Sequence, residues 1–146
     1  MPQEATLEQP QSIGELIKEL LDERRQVWLA YSELGGMKPF TPGLPLESSL
    51  RGFCQILIDY ISLGHFGLYR RVTNDAEVRA NAAEIADAIY PGIAEATDAA
   101  MAFNDKYEHT PSERLCDELA EDLSRLGERL ALRGELEDRL IASLAG

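Results

Sequence analysis

The chain has 146 residues, of which 45% are hydrophobic and 27% charged, and its formal net charge is −12 at pH 7. A chain of this length can bury roughly 68–70% of its unfolded surface, so one globular domain needs no disulfide or metal. The acidic balance argues against nucleic acid as a partner, because phosphate recognition requires a basic footprint. It argues equally against docking on an anionic membrane.

The beginning of the chain and its cysteines indicate a compartment. Residues 1–12 contain acids and no apolar run, so the sequence predicts no signal peptide and a cytoplasmic protein. We expect residues 1–11 to be a flexible segment and residues 12–146 to form a single helical-bundle domain. Cys54 and Cys116 lie far apart without metal-ligand spacing, and both fall on apolar helical faces. They are therefore predicted to be reduced and buried.

The first half of the chain predicts two helices. Residues 12–34 begin with Ser12 and Glu15, the two residues of a capping box, and continue with apolar residues at helical spacing. Gly35-Gly36 should end this helix. Three prolines between Met37 and Pro45 predict a loop, and a second helix follows over about residues 46–72.

The second half predicts two more helices. Asn74 can cap the third, whose apolar stripe runs from Val78 to Tyr107 and contains Pro91, so we expect a kink or break there. Residues 110–113 should start the fourth helix, with its stripe over residues 115–144. No stretch alternates with period two for long. The sequence therefore predicts an all-α, antiparallel up-down four-helix bundle.

The second helix has two distinct sides at 100° per residue. One side is an ordinary core stripe, formed by Leu50, Cys54, Leu57, Ile58, Ile61, His65 and Leu68. The opposite side carries Gly52, Gln55, Asp59, Ser62, Leu63, Phe66 and Arg70. Large apolar residues beside a few polar groups on an outer face are typical of a protein-contact site. The same pattern also fits a central helix that is buried on both sides.

The segment FCQILIDYISLGHFGLYRR, residues 53–71, resembles the signature segment of the Rsd/AlgQ family of anti-sigma factors. Two further segments resemble the same family: RQVWLAYSELGGMKP over residues 25–39 and LSRLGERLALRGELEDRLI over residues 123–141. The resemblance covers nearly the whole chain, apart from the first dozen residues and the loop around Pro42.

The resemblance implies an all-helical, non-enzymatic protein without a cofactor. Its partner would be the primary sigma factor of bacterial RNA polymerase, held mainly by region 4 and so withheld from core polymerase and the −35 promoter element. Asp59, Ser62 and Phe66 fall on motif positions associated with sigma binding. Whether the free protein forms a weak homodimer through the same face is left open.

Further residues are placed by the same motif and by the helical wheel. Leu63 and Arg70 share the outward face and complete the expected sigma-binding set, whereas Tyr60, His65 and Tyr69 are motif residues that we expect to be structural.

Residues 35–74 carry a formal charge of +2, against −4, −6 and −4 for residues 1–34, 75–110 and 111–146. We therefore expect Asp59 to form a specific ion pair with a sigma arginine, and the other helices to supply a diffuse negative field.

His65 suggests an alternative, a histidine phosphotransfer bundle. Such a domain needs an exposed imidazole with a lysine a turn away, but residue 68 is leucine and His65 shares a side with Ile58 and Ile61. A structural histidine is therefore the better interpretation. A second alternative is an interaction module for a partner other than sigma. The sequence contains no catalytic constellation and no inward Glu-x-x-His pair that would predict a metal site.

Arg133 and Glu137 lie one turn apart on the apolar side of the last helix. They can form a structural network that fixes the helix register, or a polar lining that tunes the response to a partner. Gly127 and Gly134 flank the same stripe and should allow a neighbouring helix to approach closely. Trp28 lies on an apolar stripe and is predicted to pack in the core.

Overall fold

The structure is a computed structural model that describes residues 12–64, 71–72 and 76–145, with the backbone alone for residues 76–81 and 145. The long elements are α1 (Ile13–Gly35), α2 (Leu44–Ser62), α3 (Ala76–His109) and α4 (Leu119–Ala145). Every element in these ranges is helical, which confirms the all-α prediction. No helix in them is long and apolar enough to cross a membrane. The predicted flexible segment 1–11 and the expected cap Asn74 lie outside the described residues.

The start of α1 follows the predicted capping box. The Ser12 hydroxyl accepts a hydrogen bond from the Glu15 backbone N–H at 3.1 Å, and the Glu15 carboxylate accepts one from the Ser12 N–H at 3.0 Å. Two backbone donors that a helix end leaves without partners are thereby satisfied. At the other end, Gly36 is the C-cap, as the Gly-Gly pair predicted.

The prolines of the chain are accommodated differently from the prediction. Helix α2 begins at Leu44 rather than Leu46, because Pro45 lies in its first turn, where a missing backbone N–H costs nothing. Gly43 precedes the helix with φ of 153°, a conformation that side chains with a Cβ rarely adopt. Helix α3 continues through Pro91, so it is not broken there, and a kink at the proline, the other expected outcome, stays a prediction.

The start of α4 was also placed too early by the sequence. Residues 112–114 form a short 3-10 turn, and the α-helix itself begins at Leu119. The chain has to reverse direction after His109, and the turn at Pro111 makes that reversal instead of opening the helix. Leu115 is nevertheless buried, because the connection packs against the end of the bundle.

The four helices form a ring of neighbours: α1 packs on α2, α2 on α3, α3 on α4 and α4 on α1. An edge-to-face aromatic pair, Phe53 and Phe103, joins α2 to α3 with ring centroids 5.9 Å apart. Cys54 is buried as predicted, but Cys116 is only half-buried, since it lies in the α3–α4 connection. Trp28 is half-buried and packs on the edge of Tyr31 at 5.2 Å. The order of neighbours is that of an up-down bundle, with the core between all four helices.

Of the two glycines expected to allow close packing, only Gly127 is required for that reason. A Cβ added at Gly127 would clash with the Tyr31 hydroxyl, which itself donates to the Leu123 carbonyl at 2.9 Å. The Tyr31 side chain therefore anchors helix α1 on α4, and it occupies the space that a Cβ at residue 127 would need. At Gly134 a Cβ would meet Arg24 at an ordinary 3.7 Å, so the expectation for Gly134 is wrong.

Candidate functional site

Helix α2 presents one buried side and one polar side. Leu57 is fully buried and Tyr60 is 1% exposed, whereas Gln55, Asp59 and Ser62 are all exposed on the opposite side. Leu63, the apolar residue of the outward set, is half-buried. The alternative of a helix buried on both sides is therefore wrong for the described part of α2. We call the exposed surface of Gln55, Asp59, Ser62 and Leu63 the α2 face.

The Asp59 carboxylate is the charged group of the α2 face, and a neighbouring residue of the same helix orients it. The Gln55 side-chain amide donates to one carboxylate oxygen of Asp59 at 3.1 Å, across one helical turn. Because the carboxylate is exposed and can accept several hydrogen bonds, it retains acceptor capacity for an incoming cation. The α2 face thus offers a carboxylate, an amide and a hydroxyl beside one apolar side chain.

Four of the predicted motif residues belong to a part of the chain that the structure does not describe. His65, Phe66, Tyr69 and Arg70 lie outside the described residues. The structure therefore brings together Asp59, Ser62 and Leu63 of the expected sigma-binding set, and their association with Phe66 and Arg70 stays a prediction.

A buried polar network lies directly behind the α2 face. Glu137, 4% exposed, accepts hydrogen bonds from the Tyr60 hydroxyl at 2.5 Å, from Arg133 Nε at 3.0 Å and from Arg24 Nη1 at 3.2 Å. Arg133, 1% exposed, also donates to the Thr97 hydroxyl at 2.7 Å. All four helices contribute to this network, so it fixes their relative positions.

The network is fully paired. No buried side-chain nitrogen or oxygen in the described part of the chain lacks a hydrogen-bond partner. Burial and the adjacent Glu137 carboxylate raise the pKa of Tyr60, so its hydroxyl stays protonated and acts as the donor. The cavity beside Arg133 and Glu137 has a volume of about 20 Å³, the size of roughly one water molecule. These observations favour the structural interpretation of the Arg133–Glu137 pair over a ligand-binding lining.

Gly64, a further residue of the motif segment, connects that segment to this network. It is buried just after the end of α2, and a Cβ at this position would lie 2.7 Å from Arg133 Nη2. Any larger residue would displace the guanidinium from its partners. The signal in the sequence was a glycine on the core side of the helix, one turn after Tyr60.

Neither a cluster of metal ligands nor an activated thiol at Cys54 is found among the described residues. No group of three or more histidine, cysteine, aspartate or glutamate side chains among them could hold a metal ion. Burial, assisted by the nearby Glu108 carboxylate, raises the pKa of the Cys54 thiol to about 11. The thiol is therefore neutral near pH 7 and a poor nucleophile.

The described residues form an all-helical bundle with an exposed polar face on α2, and comparison with known proteins identifies its family. Residues 2–145 match the family described as "Regulator of RNA polymerase sigma(70) subunit, Rsd/AlgQ". The chain belongs to this family, which confirms the resemblance seen in the motif segment.

Several relatives carry the name "Regulator of sigma D". The protein of Yersinia enterocolitica serotype O:8 is 35% identical over 132 residues, which cover 88% of this chain and 79% of that protein. The protein of Yersinia pestis is 36% identical over 132 residues, covering 88% and 78%. That of Salmonella paratyphi B is 34% identical over 131 residues, covering 88% and 80%. No solved structure gives a significant match to this chain.

Proposed function

We propose that this protein is an anti-sigma factor that binds region 4 of the primary sigma factor and withholds it from core RNA polymerase. The observation that carries the proposal is the family match over residues 2–145, whose description names regulators of the σ70 subunit. Relatives named as regulators of sigma D agree with it. A regulator of RNA polymerase acts where the polymerase is, so we place the protein in the cytoplasm.

The α2 face is the surface we assign to sigma. Asp59 supplies a carboxylate for a charge-assisted hydrogen bond with an arginine, and Ser62 supplies a hydroxyl that can donate or accept. Leu63, with Phe66 expected beside it, adds the apolar contact that dominates most interfaces. Because Leu57 and Tyr60 anchor the other side of α2 in the core, the polar groups are held in position before binding. Preorganisation of this kind reduces the entropy lost on association.

The mechanism requires no covalent step. Sigma bound to this protein is removed from the pool that competes for core polymerase, and the effect grows with the concentration of free protein relative to its dissociation constant. The phosphotransfer alternative is not favoured by the family to which the chain belongs.

A pull-down from a bacterial lysate tests the proposed function. The immobilised protein should recover the primary sigma factor without core polymerase subunits. Recovery of intact holoenzyme would contradict sequestration, and recovery of a different protein with no sigma would favour the non-sigma interaction module.

Salt should act mainly on the rate of association. The net charge of −12 attracts a DNA-reading domain, which is basic, over distances set by screening. The screening length falls from roughly 30 Å at 0.01 M salt to 8 Å at 0.15 M, so association should slow across this range. Dissociation should change less, because short-range contacts hold the formed complex. Stopped-flow measurement of both rates checks this; an association rate independent of salt would contradict electrostatic steering.

A further inference from the structure

A groove between α2 and α3 adjoins the α2 face. Its volume is about 510 Å³, within the range of roughly 300–1,000 Å³ typical of ligand pockets. Helix α2 and helix α3 form its two walls. The lining residues are Leu50, Arg51, Cys54, Gln55, Ile58, Asn104, Tyr107 and Glu108.

The floor of the groove is apolar and its rim is polar. Leu50 and Cys54 are 2% and 8% exposed, and Ile58 is half-buried above them. Arg51 and Glu108 are exposed on opposite walls. A depression with an apolar floor and charged rim is suited to an apolar side chain that has charged neighbours. Burial raises the pKa of the Cys54 thiol, so this side chain is a neutral part of the floor.

The groove and the α2 face share a residue. Gln55 lines the groove and also donates to Asp59 at 3.1 Å. Arg51, Gln55 and Asp59 are spaced four residues apart, so they form one row along the same helix. A partner segment that covers Asp59 and Ser62 would therefore cover Gln55 and reach the mouth of the groove.

The rim carries one charge of each sign, Arg51 on the α2 wall and Glu108 on the α3 wall, so a basic partner residue is complementary to the α3 wall alone. Glu108 lines the groove and is exposed, so its carboxylate is accessible to a group that enters the groove. Its carboxylate lies 3.4 Å from Nε2 of the adjacent and exposed His109, an exposed contact that competes only weakly with a new cation.

We propose that an apolar side chain of the bound sigma segment enters this groove, while a neighbouring basic residue of sigma pairs with Glu108. This inference rests on the proposed function, because it assumes that sigma occupies the α2 face. It makes α3 a second wall of the sigma-binding site and extends that site beyond the motif segment. Apolar anchors that fill such pockets usually carry a large share of the binding energy of an interface.

Filling the groove with a side chain tests the proposal. Asn104 is a half-buried residue of the α3 wall, and Asn104→Trp should occupy the space and weaken binding of the isolated region 4 domain by about tenfold or more. Ala102→Trp is the matched control, since Ala102 lies on the same helix but lines a different groove, against α4. The control should bind within about twofold of the unaltered protein. Both variants are compared by titration calorimetry after their melting temperatures are measured.

A second pair of variants keeps the test decisive if Asn104→Trp disturbs the fold. Glu108→Gln should weaken binding several-fold, whereas Asp98→Asn should not, although it removes the same charge from an exposed position of α3. If Asp59→Asn weakens binding but both groove variants bind like their controls, the groove is not part of the site and the proposed function stands. If the unaltered protein fails to bind region 4, the proposed function and the groove assignment both fall.

Discussion

Glu137→Leu should destabilise the protein by about 3–5 kcal/mol, which is the cost of removing one partner from a buried ion pair. The substitution leaves Arg133 charged at 1% exposure, with the Thr97 hydroxyl in place of a counter-ion. It also removes the acceptor of the Tyr60 hydroxyl and one partner of Arg24. Urea unfolding followed by circular dichroism gives the change in the free energy of unfolding.

A double variant separates the loss of the pair from the loss of packing. Arg133→Met combined with Glu137→Leu removes both charges, and replacing a buried pair with apolar residues is often neutral or stabilising. The double variant should therefore be more stable than Glu137→Leu alone. A double variant that is less stable by the sum of two independent losses would show that the two residues are not coupled.

The boundaries of the helices could be predicted where nearby residues determine them. They were predicted less well where packing against the rest of the bundle determines them. Ser12 and Glu15 form the start of α1 by hydrogen bonds within four residues, so this start was predicted correctly. The start of α4 depends on how the chain turns after His109 and packs Leu115, which no local pattern specifies. Likewise, proline tends to break an isolated helix, but α3 continues through Pro91, and Ile89 and Ile93 on either side of it are buried in the core.

In the candidate site, too, features within one helix could be predicted, whereas contacts between helices could not. Helical periodicity alone separated Asp59 and Ser62 from Leu57, because a core stripe repeats at fixed spacing. The Arg133–Glu137 pair was equally visible, being one turn apart on one helix. Their partners Arg24, Tyr60 and Thr97 come from three other helices, so only the packed structure could connect them. The groove between α2 and α3 was missed for the same reason.

Leu57→Ala should cost about 2–5 kcal/mol of stability, since it leaves a cavity where a fully buried side chain was. Leu57 touches the core and not the α2 face, so any effect on sigma binding should follow only from the smaller fraction of folded protein. Measuring binding at a temperature where the variant is fully folded should restore an affinity close to that of the unaltered protein.

Asp59→Asn is the counterpart on the other side of the same helix. Asp59 is exposed, so the melting temperature should hardly change, because exposed substitutions usually stay within roughly ±0.5 kcal/mol. The substitution keeps the shape of the side chain but removes its charge. Binding of region 4 should weaken by about 1.5–3 kcal/mol, roughly 10- to 140-fold, the usual contribution of a hydrogen bond to a charged group. Asp98→Asn removes an equal charge from α3 and should leave affinity nearly unchanged. If Asp59→Asn and Asp98→Asn lower affinity equally, only net charge matters, and the α2 face makes no specific ion pair with sigma.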